Sequence, residues 1–234
     1  MTKQELTVCA QALLAPAVEA AKVNAEVMST LALEIVDRVQ RGGSLFAFGA
    51  GHAYAFAAEL CSRAGGQPQW TSMNLDDLRT QVRPAHMQLR DSNPEREPTN
   101  GPALALFHGL TGKDVLVIAS HSGRNASQIE MARWAREQGI FVIAVVSRHH
   151  CSAYASRHPS GLKLVDVADA VLDLCTPVGD AVLKDGQGRG ICAASTISFA
   201  LLAQMLNVCV VSEMETRGID TQIIVSANVD GASP

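Results

Sequence analysis

The chain begins with apolar residues at Leu6, Leu13, Leu14, Val18, Val27, Met28, Leu31, Ile35 and Val39, a spacing that predicts helix from residue 2 to about 40. The apolar positions drift around that helix, so more than one face needs covering, either by its own core or by a second subunit. Pro16 either kinks it or starts a second helix. Gly42-Gly43 ends it, and Ser44 to Phe48 then reads as a short apolar strand. Helix follows from Tyr54 to about Ala64, and Gln69 to Ser72 suits a short strand. Asn74 to Pro102 is polar and proline-broken, a long loop of the kind that compact domains keep for function. Ala103 to Leu110 is read as helix, Val115 to Ala119 as strand, Ala126 to Gln138 as helix and Ile140 to Val146 as strand. Residues 148–164 look irregular, Ala170 to Leu174 forms a strand, Thr176 to Gly190 a glycine-rich loop, and Ile191 to Thr216 a long apolar helix. Thr221 to Ser226 is extended.

Strands that are apolar throughout and alternate with helices imply a parallel sheet covered on both faces, an α/β architecture. No repeat, low-complexity tract or linker divides the 234 residues, so residues 1–234 are read as one domain. Composition narrows the function classes. A net charge of −4 and 4% aromatic residues argue against nucleic acid or an anionic membrane as partner. Cys9, Cys61, Cys151, Cys175, Cys192 and Cys209 form no C-x-x-C pair, which suits a reduced, cytoplasmic protein. The N-terminal segment lacks the pattern of a secretory leader, and no uninterrupted apolar run reaches the length of a membrane span.

The candidate chemistry lies just beyond the strands. In a doubly wound sheet, ligands bind past the carboxyl ends of the strands, where the next helices start. "DVLVIASHSGRN" places Ser120, His121, Ser122, Gly123, Arg124 and Asn125 at such a point. Serine hydroxyls, a glycine that lets backbone approach, a cation and free helix N–H groups together favour an anion. A plain helix cap explains any one of these serines, but not the S-x-S-G group as readily. Gly49, Gly51 and His52 follow the first strand in the same way. Tyr54 stands where the third glycine of a dinucleotide fingerprint would be, so a small phosphorylated ligand fits better than a dinucleotide, and no cofactor is expected.

"LFAFGAGHA" and "DVLVIASHSGRN" resemble the first and phosphate-binding loops of the SIS (sugar isomerase) domain proteins, among them phosphoheptose isomerase and N-acetylmuramic acid 6-phosphate etherase. The likeness is nearest to a single-domain branch of phosphosugar isomerases. It extends through "SRHPSG", "ADAVLD", "PVGDA" and the terminal "SANVDG", from about residue 42 to the C-terminus. It implies a three-layer αβα sandwich with a five-stranded, flavodoxin-like parallel sheet over residues 42–234, with residues 1–40 as a helical arm. It also implies a sugar phosphate ligand and a homodimer or larger assembly. Two departures stand out: Ala53 replaces the serine that relatives usually carry, and His121 replaces a small polar residue.

Aldose–ketose isomerisation needs a base near a carbon and a donor near an oxygen. The resemblance points to Glu95, with Glu97 as runner-up, although either could be a solvated loop carboxylate. Among histidines, His52 and His121 belong to the two loops, His108 to a helix boundary, and His86 to the long loop. The last long helix carries no histidine where phosphoheptose isomerase has a catalytic one, and offers Ser195 and Thr196 instead. His149-His150-Cys151 lacks any metal-ligand frame and has arginine neighbours, so no metal is expected. The leading reading is an aldose–ketose isomerase acting on a sugar phosphate. An etherase-like lyase and a non-catalytic phosphosugar-binding protein are the alternatives.

Overall fold

A computed structural model describes residues 2–61, 63–78 and 93–228. Five strands form one parallel sheet: β1 (Leu45–Gly49), β2 (Trp70–Met73), β3 (Val115–Ala119), β4 (Phe141–Val146) and β5 (Ala170–Asp173), in the order β2-β1-β3-β4-β5. Seven helices are described: α1 (Lys3–Gln40), α2 (Tyr54–Leu60), α3 (Asn100–Phe107), α4 (Ala126–Glu137), α5 (Arg148–Ala153), α6 (Leu164–Val167) and α7 (Ser195–Thr216). Alternation along each strand divides the core. Leu45, Ala47, Val115, Val117, Ile143 and Val145 pack with α1, α2 and α7. Phe46, Phe48, Leu116, Ile118, Val142 and Ala144 pack with α3 and α4. The expected three-layer sandwich with a helical arm is therefore present.

Several boundaries differ from the sequence reading. The supposed loop at 176–190 contains a hairpin, β6 (Ala181–Lys184) with β7 (Gly190–Ala193), so α7 starts at Ser195 rather than Ile191. Its glycines give it the look of a loop in sequence, and Asp180, just before β6, and Cys192, within β7, have left-handed backbone. The region 148–164 holds the short helix α5. Pro16 lies inside an unbroken α1, whose start is fixed by a Thr2–Glu5 capping box. By length and composition α1 and α7 are each apolar enough to cross a membrane, which a search for uninterrupted apolar runs misses. In this fold α7 places Phe199, Leu202, Leu206 and Val210 in the core.

The geometry of α1 matters for the site. Arg38 donates to the carbonyls of Gly112, Asp114 and Gly139, at the amino ends of β3 and β4. Asn24, buried, donates to Asp173 O at 2.8 Å and accepts from Asp173 N at 2.9 Å, at the carboxyl end of β5. The helix thus runs antiparallel to the strands, and residues before Asn24 overhang the carboxyl edge of the sheet by about 30 Å at 1.5 Å per residue. Ala17 and Ala20 on this overhang are buried, whereas Leu6, Val8, Leu14, Val18 and Val23 are exposed. At the other end, Ile224 exchanges two backbone hydrogen bonds with Gly65 and Gly66. That pairing lies beside the start of β2, so at residue 224 the tail is at the amino edge of the sheet; residues 229–234 lie outside the described residues.

Asn24 is the buried amide that joins the arm to the sheet. Asn24→Ala removes both bonds to Asp173 and should cost about 1–3 kcal/mol, the penalty for leaving buried backbone groups unpaired. Thermal denaturation is expected to show a Tm several degrees lower with a cooperative transition retained.

Candidate active site

The strand order reverses between β1 and β3, and their last residues, Gly49 and Ala119, are register partners. Two loops therefore leave the sheet side by side over one crevice. The first turns sharply through Gly51 to Ala53; a side chain at Gly49 would put its Cβ 2.4 Å from Ala53 O, so only glycine permits the turn. The second is Ser120 to Asn125. Ser120 Oγ accepts from Gly123 N at 3.2 Å, which shapes the loop. Ser122 is half-buried and has no hydrogen-bond partner among the described residues. Asn125 is the cap residue of α4, yet its side chain makes no capping bond, so the first-turn N–H groups face the crevice without a side-chain acceptor.

Asn125 has other partners. Its Nδ2 donates to Glu95 Oε2 at 2.6 Å, and Gln128 Nε2 donates to the same oxygen at 3.3 Å. The turn Pro94–Arg96 that carries Glu95 is itself held by Asn100 Nδ2, which donates to Pro94 O at 2.9 Å. Glu95 Oε1 remains directed over the first loop, 3.7 Å from where a Cβ on Gly51 would stand. Glu97 accepts instead from Thr99 N and Thr99 Oγ1 at the start of α3. Of the two glutamates, only Glu95 is brought to the loops.

A third loop closes one side. Arg157 N donates to Arg124 O at 2.9 Å and Leu164 N to Gly123 O at 2.8 Å, so residues 157–164 are fastened onto the second loop. Buried His158 pairs with Glu130 at 2.7 Å and fixes this segment to α4. Arg157 Nη1 then donates to Asn125 Oδ1 at 2.8 Å. Arg124 lies over the Tyr154 ring, 5.3 Å from its centroid. Partial burial, together with neighbouring Arg124 and Arg96, pulls the Arg157 guanidinium below its usual pKa, and Glu95 opposes this. Like charges gathered in this way favour an anionic ligand between them.

Imidazoles occupy the opposite side. The rings of His52 and His121 are 6.2 Å apart across the two loops, and His121 and His150 are 4.6 Å apart. His121 Nε2 lies 3.0 Å from Thr176 Oγ1 and 3.7 Å from Asp180 Oδ1. Burial pushes the His121 pKa down to about 4, against the pull of Asp180, so this ring is neutral at pH 7. Asp180 accepts from Ala194 N, Ser195 N and Ser195 Oγ, which caps α7 and closes the base of the β6–β7 hairpin. Ser195 is thus fully buried against Asp180, whereas Thr196 is exposed.

The fold brings Gly49, Gly51, His52, Ser120, His121, Ser122, Gly123, Arg124, Asn125 and Glu95 together around this crevice. Sequence reasoning missed Gln128, His150, Arg157, Thr176 and Asp180. Arg157 and Asp180 lie inside "SRHPSG" and "PVGDA", so the signal was present, but nothing local assigned those residues a partner. His108 pairs with Asp77, whose carboxylate also accepts from Asn74 N just past the edge strand β2, so it is not one of the groups at the two loops; His86 lies outside the described residues. Among the described residues no three His, Cys, Asp or Glu side chains are grouped to hold a metal ion.

The chain is similar in sequence and in fold to known proteins. A family model described as "SIS domain" matches residues 11–147, more than half of the chain. A UPF0309 protein of Halalkalibacterium halodurans is 36% identical over 199 residues, covering 85% of this chain and 81% of the relative. One from Streptomyces coelicolor is 39% identical over 201 residues, covering 84% and 78%. Among solved structures, phosphoheptose isomerase GmhA from Neisseria gonorrhoeae superposes with a TM-score of 0.60 at 22% identity, covering 90% of this chain and all of that one. The Vibrio vulnificus NanR protein complexed with ManNAc-6P gives 0.52 at 16%, covering 93% and 64%. At these identities the structures establish a shared fold, and with the family model and the sequence relatives they make the chain a member of the SIS-domain family.

Proposed function

We propose that the protein is an aldose–ketose isomerase acting on a sugar phosphate through an enediol. The observation that carries this reading is the placement of Glu95. Two amide donors hold one of its oxygens and leave the other over the first loop, in a crevice that already has the parts of an anion site. The phosphate is held by Ser122, the first-turn N–H groups of α4, Arg124 and Arg157; the sugar carbons then lie towards Glu95, which removes the proton from the carbon next to the carbonyl. The structural relative in complex with ManNAc-6P supports a phosphosugar ligand. One observation favours a second reading, a phosphosugar-binding protein without turnover: α7 brings no histidine to the crevice. The lyase alternative has no observation of its own. Nucleic acid, membrane, metal and cofactor have no part in the proposed activity, and the proposed compartment is the cytoplasm.

The same reading includes a homodimer. The overhang of α1 presents Leu6, Val8, Leu14, Val18 and Val23 to solvent on the crevice side of the sheet, where a second copy would cover them.

Four outcomes test these statements. In calorimetry with a panel of pentose, hexose and heptose phosphates, Ser122→Ala should weaken binding by about 1–3 kcal/mol; unchanged affinity in a folded variant moves the phosphate elsewhere. Glu95→Gln should abolish solvent deuterium incorporation at the sugar carbon while keeping phosphate-dependent affinity. If the wild type binds members of the panel but neither exchanges nor converts them, the non-catalytic reading holds instead. Removing residues 1–20 should give monomer or aggregate by light scattering, and a soluble dimer from that truncated chain would place the interface elsewhere.

A further inference from the structure

The isomerase reading leaves a second proton unassigned. Turning an aldose into a ketose moves one proton between carbons and another between oxygens, and Glu95 accounts only for the first. The crevice opposite Glu95 contains a side chain arranged for the second. His121 is two residues past the end of β3, between Ser120, which shapes the loop, and Ser122, which faces the ligand. Its Nε2 faces buried Thr176 Oγ1 at 3.0 Å, with the Asp180 carboxylate beyond at 3.7 Å. Asp180 is held in place by three donors, Ala194 N, Ser195 N and Ser195 Oγ. A carboxylate on that side favours the tautomer with hydrogen on Nε2 and the lone pair on Nδ1. Nδ1 meets no hydrogen-bond partner among the described residues, and it is not among the buried polar atoms that go unsatisfied. It therefore keeps some exposure, in a crevice where the rings of His150 and His52 stand 4.6 Å and 6.2 Å away.

We infer that His121 carries the hydroxyl proton in the isomerisation, with Thr176 and Asp180 as its positioning residues. Glu95 takes the proton from C2 of the open-chain aldose phosphate. The C–H pair becomes the C1–C2 double bond and the carbonyl pair moves onto O1, giving an enediolate. His121 Nδ1 accepts the proton of the O2 hydroxyl and delivers it to O1. The electron pair on O2 forms the new carbonyl, the double-bond pair moves to C1, and C1 takes its proton from the Glu95 carboxylic acid. Every atom of the aldose is conserved in the ketose, and both side chains return to their starting states. The imidazolium that forms in passing lies against the Asp180 carboxylate. A ring kept neutral by burial is in the right state to begin.

This inference rests on the isomerase reading, and the experiment separates the two. Wild type, His121→Gln and Thr176→Val are incubated in deuterium oxide with the aldose phosphates of the panel, and proton exchange at C2 and ketose formation are followed by NMR. In His121→Gln, exchange at C2 should persist while ketose formation falls by about 100-fold or more, the usual range for loss of a proton-transfer group. Thr176→Val should lower ketose formation by a smaller factor, with the Michaelis constant little changed. Ketose formation within about threefold of wild type in His121→Gln overturns the assignment, as does equal loss of exchange and conversion. Absence of both reactions in the wild type overturns the isomerase reading, and the relay with it. Independently of turnover, nitrogen NMR of the wild type should show His121 neutral at pH 7 with hydrogen on Nε2. Hydrogen on Nδ1 would also overturn the assignment.

Discussion

Everything at the crevice depends on the pairing of β1 with β3. Because the strand order reverses there, the chain leaves Gly49 in one direction and Ala119 in the other, and a gap opens over two strands whose ends are in register. The pairing sits in the most buried part of the sheet, among side chains with no measurable exposure such as Phe48, Val117 and Ile118. Loops rooted in such a layer have fixed starting directions even though they are built of glycine, serine and histidine. That is why a few short side chains suffice: the sheet does the orienting, and the loops need only supply hydroxyls and N–H groups.

Asn125 links the two kinds of chemistry in the crevice. Its oxygen accepts from the Arg157 guanidinium and its nitrogen donates to Glu95. An amide is suited to this place because it offers one acceptor and two donors without adding charge. An aspartate there would repel Glu95, and a lysine would compete with Arg157. The cationic side and the carboxylate side are thereby kept at a fixed separation by a neutral spacer at the mouth of α4. Opposite them, the buried His121 is neutral for a different reason, the cost of charging a ring away from water. One crevice thus holds a charged and a neutral zone within two short loops.

Much of the fold is legible in the residues themselves. Val115 to Ala119 and Val142 to Val146 are apolar at every position, as only a strand covered on both faces needs to be, and the 3.6-residue period of α4 is plain. The β6–β7 hairpin was illegible because Gly186, Gly188 and Gly190, so close together, resemble a loop, and its closure depends on Asp180 reaching across to the start of α7. The same distinction applies to the site. Ser120 to Asn125 could be found because a strand end and a helix start are local features. Glu95 was reached only through family likeness, since no nearby pattern distinguishes it from Glu97. Arg157 meets Asn125 across 32 positions and His121 meets Thr176 across 55, and no periodicity encodes such contacts.

The fastening of residues 157–164 onto the loop after β3 has a kinetic consequence. The two are joined through the backbone by Arg157 N to Arg124 O and Leu164 N to Gly123 O, and by His158 to α4. The sheet itself takes no part in these bonds. The segment is therefore a unit that can open locally while β1 and β3 stay paired. One such opening, short of buried Leu164, withdraws a cation from the mouth and uncovers the Arg124 carbonyl, so hydrogen-exchange protection along 157–163 and the lifetime of a bound anion become two readings of the same event.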